Sequence, residues 1–163
     1  MEDKMNIQWY PGHMTKTRRQ MEADLKLVDG DYLLLINNPL CGEFEQGDIV
    51  VASMERFKDG EAIVKRVIAT EGQTVDIDFR TGVVYVDGEA LEEDYILEEM
   101  YLPGSGHMQK THFEVPEDEI FVLGDNRNGS TDSRDERLGT IHEGYVLGKA
   151  VAAIWPMEKF GLI

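Results

Sequence analysis

The chain has 163 residues, 42% of them hydrophobic, and a formal net charge of −16 at pH 7. That length and apolar content suit one domain with a real core plus a short appendage. The surplus of carboxylates excludes a general nucleic-acid surface, which needs clustered Lys and Arg.

Residues 1–29 hold five Lys/Arg and five Asp/Glu, so the whole of the −16 falls on residues 30–163. The first 19 residues are polar and broken by Pro11-Gly12, and they contain no apolar core or cleavage site of a secretory signal. After that Pro-Gly turn, Met14, Met21 and Leu25 recur at helical spacing while Lys16, Arg18 and Arg19 keep a face basic. This predicts an amphipathic helix over residues 13–27. The longest apolar runs, 33–36 and 150–155, fall far short of the ~20 residues needed to cross a bilayer. The chain as written is therefore expected to be soluble and cytoplasmic, with no transmembrane segment. Cys41 has no second cysteine to pair with and is expected to be a small, buried or half-buried residue. The four histidines, His13, His107, His112 and His142, form no HExxH or Cys-His grouping. Neither a metal nor a cofactor is expected.

From Gly30 onward the texture changes to short apolar runs separated by Gly, Asp and Asn. Runs rich in Val, Ile, Tyr and Phe predict strands over 32–36, 49–53, 63–68, 74–78, 83–86, 120–123 and 145–154. Arg80-Thr81-Gly82 closes a hairpin and Asp87-Gly88 a second tight turn. Residues 89–116 are long, acidic and interrupted by Pro103-Gly104-Ser105-Gly106. They are expected to form an extended insertion with low internal order.

The densest polar stretch follows the run Ile120-Phe121-Val122-Leu123. Residues 124–134 read GDNRNGSTDSR, with two short-range pairs, Asp125 with Arg127 and Asp132 with Arg134, and two hydroxyls, Ser130 and Ser133. Charge-assisted bonds between such near neighbours pin a loop, and Asn128-Gly129 supplies freedom for positive φ. Asn-Gly is also a hairpin signal, so the stretch alone leaves a plain turn open.

A second concentration lies in residues 62–72, AIVKRVIATEG. Alternation puts Ile63, Lys65 and Val67 on one face and Val64, Arg66 and Ile68 on the other, so one of the two cations faces inward unless the strand is an exposed edge. A lysine among β-branched apolar neighbours loses solvation of its ammonium and moves toward the neutral amine, a general base.

Taken together, these segments resemble a known family. Gly47-Asp48-Ile49-Val50-Val51, Lys65-Arg66-Val67-Ile68, and Gly124-Asp125-Asn126-Arg127 followed by Ser130-Thr131-Asp132-Ser133-Arg134 look like the successive boxes of type I signal peptidases, and Gly30-Asp31-Tyr32-Leu33-Leu34 resembles the segment after the nucleophile box. The resemblance spans Val28 to the C-terminus. It implies a mostly antiparallel β domain of the signal-peptidase type, and a membrane-anchored serine endopeptidase with an extracytoplasmic catalytic domain. Such an enzyme uses a Ser-Lys dyad and cuts the signal peptides of exported preproteins after small residues. Carried over by position, Lys65 matches the general base and Ser130 the hydroxyl that orients its amine. Asp132 and Arg134 match the ion pair holding the loop, and Gly124 and Asp125 the turn beside them. Asn128-Gly129 departs from the more usual Asp-Asn before that serine.

The larger departure is at the nucleophile. Aligning Met-x-Ala-Asp-Leu with the family's S-M-x-P-T-L box puts Gln20 at the serine position, and keeping the usual distance to Gly30 puts Glu22 there. Neither bears a hydroxyl, Ser53-Met54-Glu55 lies on the wrong side of the matched segments, and the family's preceding membrane helix is not found. In its place, residues 5–29, MNIQWYPGHMTKTRRQMEADLKLVD, resemble the opening of circularly permuted ribosome-assembly GTPases. No nucleotide motif follows, since Gly144 to Ala150 is one residue short of a P-loop and lacks its Ser or Thr.

The expected organisation is thus a helical leader, residues 1–27, joined to a signal-peptidase-like domain, residues 28–163, in a fusion natural or made. The expected function is a serine-endopeptidase domain left inactive by its missing nucleophile and anchor. The alternative is a non-catalytic pseudo-peptidase that holds an extended peptide along a sheet edge. Nucleic acid is expected as a partner only for the basic leader, and weakly.

Overall fold

A computed structural model describes residues 7–11, 32–37, 42–96, 98–100, 110–155 and 161–162. The expected helix over 13–27, Gln20 and Glu22, Gly30-Asp31, Cys41 and the Pro-Gly-Ser-Gly tract lie outside the described residues.

The chain is antiparallel β, as the alternating apolar runs predict, with no α-helix among the described residues. One sheet contains β1 (Ile7–Pro11), β2 (Tyr32–Asn37), β3 (Ile49–Ala52), β4 (Ile63–Ala69), β9 (Glu119–Leu123), β10 (Ile141–His142) and β11 (Val146–Trp155). Its order is β1-β2-β11-β3-β4-β9-β10, with β12 (Gly161–Leu162) paired to β11. A second sheet contains β5 (Thr74–Asp78), β6 (Val83–Val86), β7 (Glu89–Ala90) and β8 (His112–Glu114), in the order β7-β6-β5-β8. The hairpin at residues 79–82 and the turn at Asp87-Gly88 fall where their Gly residues predict, with Gly82 and Gly88 at φ +77° and +83°. Gly148-Lys149, the near-miss of a nucleotide loop, sits inside strand β11.

The leader expected to be helical over residues 1–27 is a strand at residues 7–11, which pair with β2 in the register Trp9↔Leu34 and Pro11↔Tyr32. Pro11 closes an edge strand, where a missing N–H costs little. The stretch 89–116, expected as an extended insertion with low internal order, starts with β7 and carries β8 near its end. Phe113 and Val115 are buried between the sheets, with the Phe113 ring 4.8 Å from that of Phe121.

Strands β4 and β9 run through the middle of the core and explain the density of apolar residues in both. Val67, Ile120 and Val122 join one buried cluster with Val50, Met54, Phe57 and Leu138. Ile68, Phe121 and Leu123 join a second with Val75, Ile77 and Val84 of the smaller sheet. A register shift between Val67 and Ala69 lets Ile68 and Ala69 both enter that second cluster. The face of β4 that carries Ile63, Lys65 and Val67 is buried throughout, so a cation on it stands out.

Candidate functional site

Lys65 is that cation. On β4 it alternates with Ile63 and Val67, pairs across the sheet with Val50, and is only 3% exposed. The pairing of Arg66 with Leu123, carried one step further, brings Lys65 opposite Gly124, the first residue of the polar loop. The alternation expected from the sequence is therefore observed, with Lys65 on the inward side and Arg66 on the other.

The loop from Gly124 to Arg134 folds back onto the strand that delivers it. The Val122 N–H donates to Ser133 Oγ at 2.9 Å, and the Ser133 N–H to the Val122 carbonyl at 3.0 Å. The Gly124 N–H donates to Asp132 Oδ2 at 3.0 Å. Arg134 grips the same carboxylate through Nε and Nη2, at 2.7 and 2.8 Å, and turns a further Nη2 bond of 2.7 Å to the Arg127 carbonyl. The short-range Asp132–Arg134 pair expected from the sequence is formed. Burial alone would push the Asp132 carboxyl up, but the Arg134 guanidinium, the Gly124 N–H and the positive charge of nearby Lys65 outweigh it and hold the group below its ordinary range.

The other expected pair is not formed. Asp125 turns away from Arg127 and binds Arg66, with Nε and Nη2 donating at 2.9 and 2.8 Å, while Arg127 pairs with Glu93 of the segment after β7. Two residues apart on a tight turn, Asp125 and Arg127 diverge, and each finds a partner that can meet it in fork geometry. Burial works against the Arg66 charge, yet the hydrogen bonds and charge of Asp125 raise its pKa further. Sequence reasoning missed Arg66 and Glu93 as parts of this site. For Arg66 the signal was available, since a cation on the face opposite Lys65, one strand from the loop, needs a carboxylate. No local pattern marks Glu93.

The role given to Asn128-Gly129 also changes. Neither residue is at positive φ. Gly129 is needed for space: a Cβ there would lie 2.5 Å from Asn126 Nδ2, because the Gly129 N–H donates to Asn126 Oδ1 at 3.1 Å.

Ser130 lies in this loop with its Oγ buried and without a hydrogen-bond partner among the described residues. An unmet buried hydroxyl costs about 1–3 kcal/mol, so a group kept in that state is a candidate for work the resting structure does not show. Ser133, by contrast, is committed to the Val122 backbone. Among the described residues no group of three or more His, Cys, Asp or Glu is placed to hold a metal ion. None of their helices is long and apolar enough to cross a membrane.

The family model described as signal peptidase, peptidase S26, matches residues 13–155. A probable signal peptidase I-1 of Synechocystis sp. (strain ATCC 27184 / PCC 6803 / Kazusa) is 37% identical over 123 residues, 71% of this chain and 57% of that protein. The signal peptidase I of Bacillus licheniformis is 31% identical over 141 residues, 83% of this chain and 73% of that protein. The crystal structure of a signal peptidase I from Enterococcus faecalis V583 superimposes with a TM-score of 0.52 at 29% identity, covering 66% of this chain and 97% of that one. Against its cyanobacterial relatives, at 57% and 55% coverage, the chain spans little more than half their length.

Proposed function

Since the chain belongs to the signal peptidase family S26, we propose that it is a Ser-Lys type endopeptidase domain whose proton-handling half is retained and whose attacking residue has been replaced. The observation that carries this reading is Lys65, enclosed in the middle of an apolar strand beside a loop held by Asp132, Arg134 and Asp125. In its neutral form such an amine accepts a proton from an attacking hydroxyl. In this reading the idle Ser130 hydroxyl directs the amine, and Gly124 and Asp125 form the turn that aims the loop at it.

Acyl transfer also needs an oxygen that can form a stable ester with the peptide carbonyl. The family position falls near Gln20 or Glu22, and neither a carboxamide nor a carboxylate does this. The domain should therefore bind an extended peptide without cutting it. The retained site loop favours this over an inert remnant, because an inert remnant has no use for a buried amine and an unmet hydroxyl.

The test is a fluorogenic signal-peptide substrate offered to the full chain, with peptide binding followed separately by anisotropy. Binding without cleavage is expected. Cleavage that is abolished in Lys65→Ala would show that an unrecognised nucleophile serves, and absence of both binding and cleavage would sink the reading altogether. Gln20→Ser and Glu22→Ser ask in addition whether a hydroxyl at either position restores turnover.

A further inference from the structure

The described residues after β7, 91–96 and 98–100, pack against the polar loop. Both Glu93 carboxylate oxygens accept from Arg127, Nη1 to Oε2 at 2.9 Å and Nη2 to Oε1 at 2.5 Å, in a pair whose side chains are 1% and 7% exposed. Two-point contact fixes the plane of the guanidinium. The third nitrogen, Arg127 Nε, then points its N–H at the Gly124 carbonyl, 3.1 Å away. Gly124 is thus held from both sides, its N–H by Asp132 and its carbonyl by Arg127, and it follows directly on Leu123, which pairs with Arg66 next to Lys65.

The same carboxylate accepts the Tyr95 hydroxyl at 2.9 Å, and the Tyr95 ring lies 4.1 Å from the Arg66 guanidinium. Burial and the adjacent Glu93 charge push the Tyr95 phenol above its ordinary range, so it stays a donor. Two further ties follow: Asn128 Nδ2 donates to Glu98 Oε1 at 3.1 Å and to the Glu99 carbonyl at 2.9 Å, and Arg134 Nη1 approaches Met100 Sδ at 3.1 Å.

We propose that Glu93 is a positioning residue of the site, setting the Gly124 carbonyl through Arg127 and backing the Arg66–Asp125 pair through Tyr95, so that residues 93–95, with 98–100, fix the turn beside Lys65. The assignment of a site to Lys65 rests on the reading above, but the strapping of the loop is tested without it.

Amide hydrogen exchange of the full chain is compared for wild type and Glu93→Gln. This change keeps size and one acceptor while turning an NH2 toward a cation. Gly124 and Ser133 should exchange about tenfold faster or more in the variant, with the amides of β5 and β6 unchanged, because opening is local. Carbamylation by cyanate, followed by mass spectrometry, should rise by a similar factor at Lys65 relative to exposed Lys110. Should Glu93→Gln not fold, Arg127→Lys keeps the charge and loses the fork, and the same local acceleration is expected. Equal acceleration at all amides, or none at Gly124 and Ser133, overturns the proposal. Peptide binding and cleavage do not enter these readouts, so an unstrapped loop and a failed peptidase reading give separate results.

Discussion

Arg66 and Asp125 meet across 59 positions of sequence, with two guanidinium nitrogens donating to two carboxylate oxygens at 2.9 and 2.8 Å. The contact joins the strand carrying Lys65 to the loop carrying Ser130. The side chains are 15% and 4% exposed, so removing one partner strands the other. Asp125→Ala should cost about 3 kcal/mol in urea unfolding, and Arg66→Lys, which keeps charge but not the fork, about 1–2 kcal/mol. A loss under about 1 kcal/mol for Asp125→Ala would mean that solvent replaces the pair freely.

Lys65 carries a different prediction. Its charge helps hold the Asp132 carboxyl ionised, so Lys65→Met, which keeps the stem and removes that charge, should lower the unfolding free energy by about 1–3 kcal/mol at pH 7. A rise in stability would show that enclosing the amine costs more than its interaction with Asp132 returns.

The depressed Asp132 carboxyl makes a prediction about acid. Its folded value lies below the unfolded one of about 3.9, so its contribution is fully present above that value and fades as pH falls through the folded value. Asp78, Asp87 and Asp135 are lowered as well, so the relevant quantity is the difference between wild type and Asp132→Asn. Measured by urea midpoint, that difference should be large at pH 7 and shrink below about pH 4. A constant difference down to pH 2 would contradict the assignment.

Gly129→Ala should destabilise by about 1–3 kcal/mol, since its new carbon would lie 2.5 Å from Asn126 Nδ2. Because the clash is with a side chain and not with a strained φ, Asn126→Ser should relieve most of it. A double-mutant cycle in thermal denaturation measures this, and strictly additive losses would count against the steric account.

Much of this architecture could be seen in the chain. The limits of β5 and β6 fall at residues 74–78 and 83–86 as expected, because period-two alternation between Gly-bearing turns is a local property. The same parity put Lys65 and Arg66 on opposite faces, and burial in the folded sheets showed that Lys65 is the inward one. The hydrogen-bonded partners of the site loop were legible only for Asp132 and Arg134, which stay side by side after the chain turns.

What the sequence determined by itself, then, is which residues alternate, where the chain must turn, and that Lys65 and Arg66 fall on opposite faces of one apolar strand. Tertiary structure alone decided that Asp125 reaches Arg66 and that Arg127 reaches Glu93. Two residues on one turn share a neighbourhood in sequence but point apart in space, and a charge that is being desolvated takes whichever counter-charge the packed sheets bring within 3 Å in the right plane. The same reason made an acidic stretch that reads as a loose excursion into a brace for the site.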